Sequence, residues 1–258
     1  AEGRAGRRGA ARRSRSHYDH RVPDATISTV HRPGWVYFLG RAVLRPLFWL
    51  LFRTRRIGHR DLPREGPVLL ASNHLNAWDT VLIPVAATRP VQFLTKSSFF
   101  EKSGPLGAFL KWFFTNIGAV PVLRAAGSDA QAALAAGSSI LSAGSVFAVF
   151  PEGTRSRDGR LYKGRGGAAW MALETGATVV PVGLIGTGQM RVFGWLRRGA
   201  NRPEVHFGAA LDLSDLADQP GGIARRVATE RIMDAIAELT GQERVDDYNA
   251  SSSDAATA

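Results

Sequence analysis

Two periods of apolar spacing alternate along most of the chain. From Gly66 onward, short runs of β-branched and aliphatic residues recur, bounded by Gly, Pro, Asn or Ser, and the stretches between them place apolar residues at helical intervals. The runs predict strands over 67–72 (PVLLAS), 91–95 (VQFLT), 118–123 (GAVPVL), 146–150 (VFAVF), 178–184 (TVVPVGL) and 204–209 (EVHFGA). The intervals predict helices over 78–88, 103–114, 127–142 and 164–175. In a last helix near 222–240, the stripe Ile223, Val227, Met233, Ile236 and Leu239 has the spacing of a core-facing surface. Strands alternating with helices give an α/β class with a mostly parallel central sheet flanked by helices. A chain of 258 residues suits one such domain with appendages.

The segment 35–52, WVYFLGRAVLRPLFWLLF, breaks the alternation because it is almost wholly apolar. As a helix it would reach about 27 Å, just short of a typical hydrocarbon core. Arg41 and Arg45 fall near its middle, where a spanning helix pays roughly 2.5–3.5 kcal/mol for each. Pro46 disfavours helix at Arg45 and is well placed to begin a second one. Two short helices lying in a membrane interface are therefore expected. The alternative is a helix packed on the domain's own core.

Charge strengthens the membrane expectation. The net charge of +11 sits entirely in residues 1–60, where 14 Arg face only Glu2, Asp19 and Asp24; beyond residue 60, 19 basic residues meet 19 acidic ones. A neutral domain with no nucleic-acid motif argues against a specific nucleic-acid partner. Basic residues beside an apolar segment are drawn to an anionic membrane surface at about 1 kcal/mol each. The chain thus divides into a basic, disordered tail at 1–30, docking helices at 31–60, a domain at 61–244 and a second disordered tail at 245–258. Residues 187–203 mix Met190, Phe193 and Trp195 with Arg197, Arg198 and Arg202. They fit a second membrane-facing edge or a crossover loop equally well. The chain contains no Cys and no segment resembling a cleavable signal, so a cytoplasmic address is expected.

Candidate chemistry gathers at predicted strand ends, where ligands sit in open α/β sheets. Asn73-His74-Leu75-Asn76-Ala77-Trp78-Asp79 follows the first strand. A neutral imidazole can take the proton of an attacking hydroxyl while a carboxylate on its other nitrogen fixes the tautomer and stabilises the imidazolium. Four intervening residues let the loop turn into a helix, with Asp79 in the first turn facing back to His74. The pair alone is weak, since chance supplies one in roughly a third of such chains.

Phe150-Pro151-Glu152-Gly153-Thr154-Arg155-Ser156 follows another strand, and such a turn can aim backbone N–H groups, a hydroxyl and a guanidinium at a phosphate. A third strand, from Gly118, ends in Arg124, which could add a second charge-assisted contact.

With these blocks together, the chain resembles the PlsC-like glycerolipid acyltransferases. His74 to Asp79 matches their H-x-x-x-x-D motif, 118–124 their second block, FPEGTRS at 150–156 their third, and Val180-Pro181-Val182 their fourth. The four occur in family order across about 70–185. The N-terminal segment is similar to the membrane-docking motif of family members. The resemblance implies transfer of an acyl group from acyl-CoA or acyl-carrier protein to lysophosphatidic acid, giving phosphatidic acid in phospholipid biosynthesis. It gives His74 and Asp79 as the catalytic pair, and Arg124, Glu152, Gly153, Thr154 and Arg155 as the phosphate site, Glu152 bracing the turn or the arginines. Asn73, Gly118 and Pro181 are implied as supports. No cofactor or metal is expected, and no acyl-enzyme. The expected location is the cytoplasmic face of the cell membrane. Glycerol 3-phosphate, another lysophospholipid or a glycolipid are alternative acceptors. A non-catalytic basic protein binding membrane or RNA is the distant alternative.

Overall fold

A computed structural model describes residues 33–96, 104–105, 107–108, 112, 120–122, 129–191, 193, 196 and 202–249. Six strands form the main sheet: β1 (Arg55–Ile57), β2 (Val68–Ser72), β3 (Val91–Gln92), β6 (Val146–Val149), β7 (Thr178–Ile185) and β8 (Glu204–Phe207). Their order is β1-β8-β7-β2-β6-β3, and every neighbouring pair is parallel except β7 with β8. A separate parallel pair joins β4 (Leu94–Lys96) to β5 (Val120–Val122). The helices are α1 (Trp35–Phe52), α2 (Asp79–Ala86), α3 (Asp129–Ser142), α4 (Gly167–Thr175) and α5 (Gly221–Thr240). The expected α/β fold with a mostly parallel sheet flanked by helices is present.

β2 lies mid-sheet and is buried over its whole length, so its side chains serve two cores by strict alternation. Leu69 and Ala71 join Phe147, Met171, Ile232 and Met233 under α3, α4 and α5. Val68 and Leu70 join Leu82 and Ile83 of α2 with Phe48 and Phe52 of α1. The order helix, sheet, helix follows from this division. The predicted α5 stripe is only partly inward, since Met233 and Ile236 are buried while Ile223 is exposed.

The N-terminal segment departs from expectation. It is one continuous helix through Pro46, not two short ones. Core packing offsets the hydrogen bond lost at proline: Tyr37, Phe48 and Phe52 are buried, and full burial of such side chains contributes roughly 1.5–3 kcal/mol each. Arg41 and Arg45 turn toward the end of α2. Arg45 donates to the Val85 carbonyl at 3.1 and 3.0 Å and to that of Ala87 at 3.2 Å, while Arg41 reaches the Thr88 carbonyl at 3.1 Å. Two cations therefore satisfy carbonyls left open at and just beyond the C-terminus of α2, where the helix dipole favours positive charge.

Three other differences stand out. Arg55–Ile57, placed by sequence in the docking segment, forms an edge strand on β8. The run predicted as one strand at 91–95 divides between the two sheets. The expected disordered tail from Val245 is ordered up to 249: the Val245 N–H donates to the Leu161 carbonyl at 2.8 Å, and the Lys163 N–H to that of Asp247 at 2.9 Å. Of the predicted helix 103–114, the described residues 104–105, 107–108 and 112 are helical. The tail 1–30 lies outside the described residues.

Candidate active site

β2 delivers Asn73 and His74 to the C-terminal edge of the sheet. Asn73 is fully buried and splices the strand end to β7, accepting the Leu184 N–H at 2.8 Å and donating to the Leu184 carbonyl at 2.9 Å. Its amide behaves as one more rung of the sheet. The direction in which His74 leaves the sheet is thereby fixed.

His74 Nδ1 lies 2.9 Å from Asp79 Oδ2. Asp79 is the first residue of α2 and is fully buried, and the same oxygen accepts the N–H groups of Leu75 and Asn76, each at 2.7 Å. Three partners and the N-terminal end of a helix converge on this oxygen, the compensation that a buried polar side chain needs. A hydrogen on Nδ1 leaves the lone pair on Nε2, and among the described residues nothing hydrogen-bonds Nε2. The ring lies flat on Phe150, with centroids 3.9 Å apart and planes 10° from parallel.

Phe150 begins the FPEGTRS block, so the base and the expected anion turn share a wall. The Ser156 N–H donates to the His74 carbonyl at 2.8 Å. Glu152 completes the join, with one carboxylate oxygen accepting the His74 N–H at 3.2 Å and the other the Tyr162 N–H at 3.0 Å. Glu152 is thus a brace between two loops, with both oxygens committed to backbone and neither bonded to an arginine. Burial pushes its carboxyl up to about 7, against the pull of those two N–H donors and with a small push from Asp158.

Gly153 adopts φ +76°, and a Cβ there would stand 2.9 Å from Arg165 Nε. Only glycine meets both conditions without strain. Thr154 is half-buried and Arg155 exposed. Among the described residues the Arg155 guanidinium has no hydrogen bond or ion pair, while its carbonyl accepts Asn249 Nδ2 at 3.1 Å. Arg165, one of several charges sequence could not distinguish, packs over Gly153 and lies 5.6 Å from the Tyr248 ring centroid. Pro181 is buried within β7 opposite Ala71, below the site, as a support for the sheet. Gly118 and Arg124 lie outside the described residues. Among the described residues no group of three or more His, Asp or Glu could hold a metal ion.

Phe150, Ser156 and Gln242 touch this assembly but were not singled out as site residues by sequence. The first two sit inside a motif that drew attention to its charges. Gln242 carries no motif at all.

This arrangement can take a proton from a hydroxyl at Nε2, in a loop tied through Glu152 and Ser156 to the turn that carries Arg155. A family model described as acyltransferase matches residues 53–185. The chain belongs to the acyltransferase family, which bears out the resemblance carried by the four blocks. It is 31% identical over 169 residues to the 1-acyl-sn-glycerol-3-phosphate acyltransferase LPAT1, chloroplastic, of Arabidopsis thaliana, covering 65% of this chain and 46% of that one. It is 24% identical over 183 residues to the 1-acyl-sn-glycerol-3-phosphate acyltransferase of Borreliella burgdorferi, covering 70% and 71%. The chain spans about half the length of the curated plant relatives it matches. The crystal structure of the 1-acyl-sn-glycerophosphate (LPA) acyltransferase PlsC from Thermotoga maritima shares the fold, with a TM-score of 0.55 at 21% identity over 79% of this chain and 78% of the other.

Proposed function

We propose that the protein transfers a fatty acyl group from acyl-CoA or acyl-carrier protein to the free hydroxyl of 1-acylglycerol 3-phosphate, giving phosphatidic acid. The observation that carries this is the His74–Asp79 pair at 2.9 Å, with Nε2 free and the Arg155 turn tied to the same loop. Nε2 accepts the hydroxyl proton as the oxygen attacks the thioester carbonyl. Asp79 keeps Nδ1–H aligned and stabilises the imidazolium. Collapse of the tetrahedral intermediate breaks the C–S bond, and the proton passes from Nε2 to the departing thiolate. Arg155, with the backbone and hydroxyl of Gly153 and Thr154, holds the acceptor phosphate. Arg124 is a candidate for a second contact on the strength of the motif alone.

An acyl-bearing acceptor is favoured over glycerol 3-phosphate because α1 links the catalytic loop to an apolar surface. Trp35, Phe38, Leu39, Val43, Leu47, Trp49 and Leu50 are exposed on α1, whereas Phe48 and Phe52 pack on Trp78 at 5.9 and 6.3 Å, between His74 and α2. By length and composition α1 is long and apolar enough to cross a membrane. Its buried aromatics and inward arginines instead support a helix laid on the bilayer surface. Burial, then the charges of Arg41 and Arg60, pull Arg56 below its ordinary value, and among the described residues none of these three pairs with a carboxylate. Such uncompensated charge suits anionic lipid. Phe193 and Leu196 are also exposed, and the Phe193 N–H donates to the Leu51 carbonyl at 2.8 Å. Their position beside α1 favours the membrane-facing edge over a simple crossover.

The test is an assay of the purified full chain with both thioester types against lysophosphatidic acid, glycerol 3-phosphate and other lysolipids. His74→Ala should abolish transfer with the melting curve unchanged, and near-wild-type turnover would sink the mechanism. Arg155→Ala should raise the lysophosphatidic acid KM about tenfold, and an unchanged KM and rate would remove it from the site.

A further inference from the structure

Helix α5 ends at Gly241, whose φ of +65° reverses the chain as its N–H closes on the Ala237 carbonyl at 2.7 Å. The next residue, Gln242, enters the seam between the two loops of the site. Its Oε1 accepts Asn73 Nδ2 at 2.7 Å, and its Nε2 donates to the Gly159 carbonyl at 2.6 Å. Asn73 directly precedes His74. Gly159 lies in the loop that carries Arg155. One side-chain amide therefore bridges the strand end that presents the base and the loop that presents the cation.

The chain after Gln242 continues the same connection. Glu243 accepts the Leu161 N–H at 2.9 Å, Asp247 accepts that of Lys163 at 2.9 Å, and Asn249 reaches the Arg155 carbonyl at 3.1 Å. The stretch 242–249 is thus a strap along loop 155–163, with Gln242 at one end and Asn249 at the other. None of it falls within the family match, which stops at residue 185. Glu152 and Ser156 already join the loops near their roots. Gln242 and Asn249 fix their outer parts.

From this geometry we infer that Gln242 is a positioning residue for acyl transfer, setting the spacing between His74 and the Arg155 turn across which the acceptor must reach. The inference rests on the proposed roles of those two residues. An acceptor held by its phosphate and attacked at its hydroxyl senses both points, and displacement of about 1 Å in such a span can cost up to about a hundredfold. The thioester meets only one of them. Loss of the amide should therefore fall on acceptor use and spare the donor KM.

Gln242→Met removes both hydrogen bonds at similar volume. Gln242→Glu keeps an acceptor for Asn73 but sets a carboxylate oxygen against the Gly159 carbonyl. In the purified full chain, each should raise the lysophosphatidic acid KM about tenfold while the thioester KM moves by less than about twofold. If wild type prefers another phosphorylated acceptor, the same ratio is read with that one. A lower melting temperature with both KM values unchanged would mean a purely structural staple and would overturn the inference. Should neither variant fold, Asn249→Ala loosens the exposed end of the strap: a threefold or so rise in acceptor KM supports the inference, and no change overturns it. Wild-type activity that dies in His74→Ala yet ignores Gln242 and Asn249 defeats only this inference. A wild type that acylates nothing defeats the proposed function and this inference with it.

Discussion

The imidazole of His74 rests on the ring of Phe150 with 3.9 Å between centroids and 10° between planes, and Asp79 closes its other side at 2.9 Å through Nδ1. The ring therefore has one orientation set by an edge contact and one set by a face. Asp79 fixes which nitrogen points outward. Phe150 fixes the plane in which it points. Because Phe150 also opens the turn leading to Arg155, the position of the base and the shape of the anion turn are coupled through a single aromatic side chain.

Phe150→Leu tests that coupling. Leucine retains most of the half-buried apolar contact but offers no flat surface, so the imidazole gains freedom to tilt about its bond to Asp79. We expect kcat to fall about tenfold with the thioester KM within about twofold of wild type, and a stability loss near 1 kcal/mol. Steady-state kinetics and a thermal melt measure both. A variant that melts earlier yet keeps its kcat would show that the stacking serves packing alone.

Glu152 predicts a pH signature. Its folded value of about 7 lies above the ordinary 4.5, so the folded state holds this proton more tightly than the unfolded chain does. The stabilisation is complete below pH 4.5, decays as pH rises and is gone above about 7. The shift of 2.5 corresponds to on the order of 3 kcal/mol across that window. Glu152→Gln cannot titrate, and its amide N–H₂ must face either the His74 or the Tyr162 N–H, so it should be less stable at every pH. Its stability should nonetheless lose this component of the pH slope between 4.5 and 7. Denaturant melts at several pH values decide the matter, and identical slopes in the two proteins would refute a raised Glu152.

Much of this site was legible in sequence because its strands announce themselves. Val146–Val149 and Thr178–Ile185 are β-branched runs that no helix would favour, and His74, Asp79 and FPEGTRS follow such strands at spacings that chemistry explains. What stayed hidden depends on partners distant in sequence. Arg55–Ile57 has no alternation and is exposed, becoming a strand only because β8 offers it backbone groups. The ordering of 242–249 is likewise bought by backbone bonds to loop 155–163, which composition does not register. Pro46 and the two arginines of α1 were weighed against a membrane. The counterpart of the arginines is the C-terminal end of α2, and no local pattern names it.

That counterpart divides α1 into two faces with different predicted behaviour. Because Phe48 and Phe52 complete the core under α2, deleting the helix would open the domain and confound any membrane assay. Substitutions on single faces separate the effects. Leu39 and Val43, 54% and 56% exposed and one turn apart, touch no core, so Leu39→Glu with Val43→Glu should leave the melting curve within about a degree of wild type. The same pair should cut binding to vesicles containing an anionic phospholipid by about tenfold or more, since each replaces an inserted aliphatic side chain with a charge that such lipid repels. Arg45→Leu reverses the pattern: it strands the Val85 and Ala87 carbonyls at a cost of about 1–3 kcal/mol in stability, while the apolar face and its vesicle binding persist. Sedimentation with vesicles and thermal melts of the two variants form the test. If the double glutamate variant sediments like wild type, the outer face of α1 is not what meets the membrane.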